Sequence, residues 1–209
     1  IDIDKRSNQP LRIGKYILIF NGEIYNYIEI RSQLKSLGHT FKTQGDTEVL
    51  ARALIQWGEK SLDKLEGMWS FAWYNEETND LLLSRDRFGE KPLFLWKGDN
   101  GLYFSSEIKG IASLSGGWPR LNSNHLFRYL VNGYKSLYKV SHTFYEGITE
   151  LKAGHCLVCK NRFNDKEYAY WEPNQTINKN ISYSEAVEKT RECLINSVKL
   201  RLRSDVPLA

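Results

Sequence analysis

The residues whose types and spacing could do chemistry are Asn21-Gly22-Glu23. They follow Tyr16-Ile17-Leu18-Ile19-Phe20, an apolar, β-branched and aromatic run that reads as a buried strand. An Asn side-chain amide and the backbone N–H of a following Gly can converge on one oxygen. That is the arrangement of an oxyanion hole, whose fixed donors stabilise charge developing in a transition state. Glycine suits it because a substrate must come close to the backbone. Taken alone, an Asn-Gly pair reads first as a plain turn. Glu23 and Asp46 are carboxylates that could hold a substrate ammonium through charge-assisted hydrogen bonds. Asp46 also fits the N-cap of a helix, and one side chain can serve both roles. Glu23 alone reads as a surface carboxylate. Nothing in the spacing favours the paired acid and base of a glycosidase.

Other chemical candidates lose on inspection. Cys156-x-x-Cys159 falls on an expected strand and no second ligand pair follows, so these read as structural cysteines and no metal site is expected. His39, His125, His142 and His155 are scattered singly and read as core or surface residues. Ser115-Gly116-Gly117 resembles a phosphate-binding turn, but Trp118-Pro119 follows; a bulky ring and a missing N–H spoil an anion nest. Lys199, Arg201 and Arg203 form a short basic cluster that reads as a solvated helix face.

The elements that must position the candidates follow from periodicity. Tyr27, Ile30, Leu34 and Leu37 recur at helical spacing between Asn26 as N-cap and Gly38 at C′. A second helix follows from Asp46, with Leu50, Ala53, Leu54 and Trp57 as its apolar face and Gly58 as its stop. The middle is β-rich. Trp69 to Tyr74 and Leu81 to Ser84 flank the polar turn 75–80, and Phe94 to Lys97 and Leu102 to Ser105 flank Asn100-Gly101, giving two hairpins. Short helices are expected at Ser106 to Leu114 and Ser123 to Leu130, then strands at His155 to Lys160 and Glu167 to Trp171. Residues 172–182 are polar and read as a linker. Ser184 then caps a helix carrying Ala186, Val187, Leu194, Val198 and Leu202. It ends near Ser204, and Asp205 to Ala209 begin another strand. Strands and helices in this order predict an α+β fold, helices packed on largely antiparallel sheet.

Bulk composition bounds the class. With 41% hydrophobic and 13% aromatic residues the chain can bury a core, and 26% charged residues is ordinary, so composition argues against global disorder. A formal charge of +4 with scattered basic residues does not favour nucleic acid. No apolar run approaches the roughly 20 residues of a membrane span, and no basic-then-apolar leader is present. Three cysteines, an odd number, fit a reducing compartment, and the cytoplasm is the expected location.

In order along the chain stand Phe20-Asn21-Gly22-Glu23-Ile24-Tyr25-Asn26, Gly45-Asp46-Thr47-Glu48-Val49 and Leu65-Glu66-Gly67-Met68-Trp69-Ser70-Phe71-Ala72. Then come Ser84-Arg85-Asp86-Arg87-Phe88-Gly89-Glu90-Lys91-Pro92-Leu93 and Phe104-Ser105-Ser106-Glu107-Ile108-Lys109. The series resembles the glutaminase domain of B-type asparagine synthetases, which are class II glutamine amidotransferases. Val198-Lys199-Leu200-Arg201-Leu202-Arg203-Ser204-Asp205-Val206-Pro207 resembles the entry to that family's ATP-using synthetase domain.

The resemblance implies a four-layer αββα N-terminal-nucleophile sandwich over residues 1–171, lacking its first strands, the linker 172–182, and the first helix of an α/β synthetase domain over 183–209. It implies a first-residue Cys, activated by its own α-amine, that attacks the glutamine side-chain amide. Asn21 and Gly22 would form the oxyanion hole, and Glu23 and Asp46 would hold the glutamine α-ammonium. Ammonia would pass to a second domain, where ATP with Mg2+ activates aspartate as an acyl-adenylate. The resemblance allows a homodimer. Ile1 is not a nucleophile, and Cys156, Cys159 and Cys193 do not lie where the family places one. Truncation accounts for this better than decay, and residues 1–209 alone are expected to lack glutaminase activity. Two alternatives stay open: a relative amidating a sugar carboxylate in surface-polysaccharide assembly, and a non-catalytic glutamine-binding module if Ile1 is the natural start.

Overall fold

The computed structural model describes residues 8–98, 101–134, 137, 142–161, 164–177 and 179–203. Ile1, Asn100 and the expected strand from Asp205 to Ala209 lie outside them, as does Ser204. The chain divides into two units. The first comprises Glu23–Gly67 with Trp171 onward and the residues up to Leu11; the second comprises Arg12–Gly22 and Met68–Tyr170.

In the first unit, α1 (Tyr27–Ser36) and α2 (Asp46–Trp57) bury a shared cluster of Ile30, Leu34, Val49 and Ala53, with Tyr27, Phe41 and Trp57 packed against it. The expected pattern is right up to Leu34. Leu37, expected on the same face, is the C-cap instead and is exposed. Gly38 stands at C′ with φ +92°, its N–H donating to the Lys35 carbonyl while His39 N–H reaches the Leu34 carbonyl. That pair of bonds is a Schellman closure. Asn26 is the N-cap of α1, but its side chain ties a neighbouring loop, donating to the Lys64 carbonyl and accepting from Glu66 N–H. A 3₁₀ segment, Gly58–Lys64, follows α2.

The last helix, α5 (Tyr183–Arg201), begins earlier than expected. Ser182, not Ser184, is its N-cap, because Ser182 and Glu185 close a reciprocal capping box that Ser184 has no matching carboxylate to form. None of its residues is buried.

The second unit holds most of the β structure. With β1 (Leu11–Ile13), β2 (Tyr16–Ile24), β3 (Gly67–Asn75), β4 (Asp80–Arg85), β5 (Phe94–Gly98), β6 (Gly101–Ser105), β7 (Ile148–Glu150), β8 (His155–Lys160) and β9 (Asn164–Ala169), the sheets run β1-β2-β3-β4-β8-β9 and β6-β5-β7. Both expected hairpins form: Tyr74 pairs Leu81 across β3–β4, and Lys97 pairs Leu102 across β5–β6. Pairing is antiparallel in these hairpins and in β4–β8, β8–β9 and β5–β7. A core of Ala72, Leu83, Leu93, Leu95, Leu151, Leu157 and Cys159 fills the unit. Helices α3 (Ile108–Ser115) and α4 (Ser123–Asn132) fall close to expectation.

Two local readings change. β2 is buried on alternate residues rather than throughout: Leu18 and Phe20 are inside while Ile19 is half exposed. Asn21-Gly22 makes no turn, for β2 runs straight through both to Ile24. No helix among the described residues is long and apolar enough to cross a membrane.

Candidate active site

Asn21 and Gly22 belong to the second unit and Glu23 and Asp46 to the first, each pair held by its own surroundings. Asn21 is exposed, and its Nδ2 donates to Ser106 Oγ at 3.2 Å. A carboxamide nitrogen carries two hydrogens, so this contact orients the group and leaves one N–H for a ligand oxygen. Gly22 is required by close approach. A Cβ there would lie 2.1 Å from the Met68 carbonyl oxygen and 2.7 Å from Trp69 Cα. In the first unit the relation is mirrored: a Cβ on Gly67 would lie 2.1 Å from the Glu23 carbonyl oxygen. Glycines at both places let the backbones pass at a separation no other residue permits.

The Met68–Trp69 segment against Gly22 is fixed by Asp86, which is fully buried. Its Oδ2 accepts from Trp69 N–H at 3.2 Å and Lys91 N–H at 3.0 Å, and its Oδ1 accepts from Phe88 and Glu90 N–H at 3.0 Å each. Its own backbone pairs with Trp69 and Gly154. Arg85 beside it donates to the carbonyls of Gly89, Lys91 and Leu151 and pairs with Glu150 at 2.9 Å. One buried carboxylate thus serves four backbone donors, and the whole 84–93 motif becomes a scaffold. The motif is visible in the sequence, but the part Asp86 plays in it is not; an Asp two residues before Phe88-Gly89 in a turn is the available signal.

In the first unit, Asp46 is only 2% exposed and its Oδ2 accepts from Ile24 N–H at 2.9 Å. It is not the N-cap expected from its type. Gly45 takes that place, and Asp46 is the first helical residue, with no side-chain capping bond. The difference frees the carboxylate to face the end of β2, one residue from half-buried Glu23. Burial pushes the Asp46 pKa above the ordinary aspartate value, with the Ile24 N–H opposing that rise. The positive end of α2 also favours its anion. The loop before it is pinned twice. The Arg31 guanidinium, stacked on Phe41, donates to the Thr43 and Gly45 carbonyls, and Glu48 accepts from Lys42 N–H, Thr43 N–H and Thr43 Oγ1.

The remaining candidates sit elsewhere. Cys156 and Cys159 are free, buried thiols on β8, and burial, reinforced by the Asp165 carboxylate, pushes Cys159 up to about 12. Cys193 is exposed on α5. No three His, Cys, Asp or Glu residues cluster as metal ligands among the described residues. His125 is a core residue, edge-on to Phe144. Gly116, at φ +84°, caps the C-terminus of α3, where Gly117 N–H returns to the Ala112 carbonyl. That is the negative pole of a helix and does not suit phosphate. A cavity of about 440 Å3 lined by Tyr74, Leu81, Lys97, Cys159 and Asp165 contains none of the four candidates.

The fold has solved counterparts. The chain resembles in fold the Bacillus subtilis glutamine phosphoribosylpyrophosphate amidotransferase complexed with ADP and GMP, at TM-score 0.52 and 22% identity, over 81% of this chain and 32% of that one. A structure described as the allosteric regulatory enzyme of purine biosynthesis gives TM-score 0.54 and 23% identity, over 83% and 32%. The architecture is that of the α+β N-terminal-nucleophile amidotransferases. Residues 1–171 match the glutamine amidotransferase domain, and the chain belongs to that family. It is 32% identical to asparagine synthetase [glutamine-hydrolyzing] 3 of Bacillus subtilis (strain 168) over 194 residues, 92% of this chain and 31% of the relative. It is 37% identical to a putative asparagine synthetase [glutamine-hydrolyzing] of Mycobacterium tuberculosis (strain ATCC 25618 / H37Rv), over 74% of this chain and 24% of the relative. The chain therefore spans about a third or less of the length of these relatives.

Proposed function

We propose that the natural polypeptide hydrolyses glutamine and delivers the ammonia to an ATP-activated aspartate, making asparagine. The observation that carries the glutamine half is Asp46, a carboxylate buried to 2% exposure and aimed by Ile24 N–H at the residue following Glu23. A buried anion is costly unless a cation meets it. An amino-acid ammonium held between Glu23 and Asp46 supplies that charge through charge-assisted hydrogen bonds. Asn21 Nδ2–H and Gly22 N–H serve the oxygen that becomes negative when the side-chain amide is attacked.

Neither Cys156 nor Cys159 supplies the attacking thiolate. Cys156 and Cys159 are buried, and a thiol held near 12 is not ionised at neutral pH. Attack forms a tetrahedral oxyanion, ammonia leaves, and water releases glutamate from the resulting thioester. On this reading, residues 1–209 by themselves are expected to be inactive as a glutaminase. ATP and Mg2+ would serve the synthetase portion.

The test is a comparison of nitrogen sources in the full natural polypeptide. Asp46→Asn raises the KM for glutamine at least about tenfold, the worth of one charge-assisted contact. Asparagine synthesis from added ammonium salt, which bypasses glutamine, continues. An unchanged glutamine KM would sink the reading of the ammonium site; glutamine hydrolysis without asparagine formation would sink the acceptor.

A further inference from the structure

Arg201 and Arg203 are a basic pair that the sequence places on a solvated face, yet the structure gives both a partner. Arg203 Nη1 donates to Glu29 Oε2 and Nη2 to Glu29 Oε1, each at 2.6 Å, a two-pronged guanidinium–carboxylate pair. The same Nη1 donates to the Tyr25 backbone carbonyl at 2.8 Å. Arg201 lies over the Tyr25 ring, 4.9 Å from its centroid. An exposed ion pair alone contributes little, and the Glu29 side chain is half exposed. The bond to Tyr25 differs, because it grips main chain. Tyr25 is 5% exposed, and its N–H is held by the Glu66 carbonyl at 2.7 Å.

Tyr25 follows Ile24, whose N–H orients Asp46, and Ile24 follows Glu23. Both backbone polar groups of Tyr25 are therefore held, the N–H by Glu66 and the carbonyl by Arg203. We infer that Arg203 is a positioning residue for the ammonium-binding carboxylates: through the Tyr25 carbonyl it holds the Glu23–Ile24–Tyr25 backbone where Glu23 and Asp46 meet the same charge. Glu29 holds the guanidinium in register for that bond. The inference rests on the proposed reading of Glu23 and Asp46. Its chemistry asks for a planar fork that serves a carboxylate and a carbonyl together, which arginine offers and lysine does not.

The experiment uses the full natural polypeptide with Arg203→Met, Arg203→Lys and Glu29→Ala, beside Asp46→Asn. Glutamine KM, glutamine kcat and ammonia-dependent synthesis are measured for each. Arg203→Met is expected to raise the glutamine KM about tenfold, with kcat and ammonia-dependent synthesis within about twofold of the parent. Arg203→Lys, which can still donate to the Tyr25 carbonyl, recovers part of the KM, and Glu29→Ala gives a smaller rise than Arg203→Met. If Asp46→Asn raises KM while Arg203→Met does not, the positioning role is overturned and the ammonium site stands. If neither raises it, the reading of the site itself has failed. Equal losses in glutamine-dependent and ammonia-dependent synthesis on Arg203→Met mark a general structural role and overturn the inference; should that variant not fold, Arg203→Lys with an unchanged KM does the same.

Discussion

Replacing Gly22 by alanine puts a methyl carbon 2.1 Å from the Met68 carbonyl oxygen, where real Cβ contacts keep at least 3.0 Å. Relief takes a displacement of about 0.9 Å, and both obstructing groups, the Met68 carbonyl and Trp69 Cα, are backbone. The Trp69 backbone is tied to buried Asp86, so the segment has little room to yield. The cost belongs at the upper end of overpacking penalties, about 3 kcal/mol. For a chain of this size each kcal/mol lowers Tm by about 2–4 °C, which gives a fall of about 6–12 °C. Gly14→Ala is the control. Gly14 has φ +58° but nothing within 4 Å of an added methyl, so only the left-handed backbone cost of about 1–2 kcal/mol applies. Differential scanning fluorimetry and urea titration read both variants. A Gly22→Ala chain no less stable than Gly14→Ala would refute the claim that close strand approach, not turn geometry, requires glycine here.

Two further outcomes follow from ionisable groups. Burial raises the Asp46 pKa, so the folded chain holds this proton more tightly than the unfolded chain. Its contribution to stability falls as pH rises from the ordinary aspartate range through the raised value. A bound ammonium favours the carboxylate, so the glutamine KM should rise as pH falls through that raised value; a KM that stays constant as pH falls from neutral into the ordinary aspartate range counts against the ammonium site. Thiol labelling of the native chain should modify Cys193, while Cys156 and Cys159 react once denaturant is added. Mass spectrometry finding native-state label on β8 would contradict the buried, protonated state of Cys159.

Much of the scaffold was legible because periodicity and turn chemistry are local. The β3–β4 and β5–β6 hairpins and the core faces of α1 and α2 follow from alternation and 3.6-residue spacing. What failed had non-local causes. Asn21-Gly22 carries a turn signature, but pairing of β2 with β3 overrides it and uses Gly22 for clearance. Asp46 has a capping side chain, yet Ile24 N–H, 22 residues away, captures it. Arg203 reads as solvated on its own helix because its partners, Tyr25 and Glu29, lie more than 170 residues earlier. The short strands β1 and β7 carry too few residues to show a period. The candidate residues were named from their ordered motifs, whereas the contacts of Ser106 with Asn21 and of Asp86 with Trp69 join residues too far apart in sequence for any local pattern to show.

The most direct test of the account is glutamine turnover by Asn21→Ala in the full natural polypeptide. Asn21 Nδ2, oriented by Ser106, is assigned to an oxygen that is charged only in the transition state. The expected result is a kcat for glutamine hydrolysis lower by about 100- to 1000-fold, with KM changed only a few-fold and ammonia-dependent synthesis retained. An unchanged kcat would contradict the oxyanion role of Asn21, and with it the placement of the glutamine site at the end of β2.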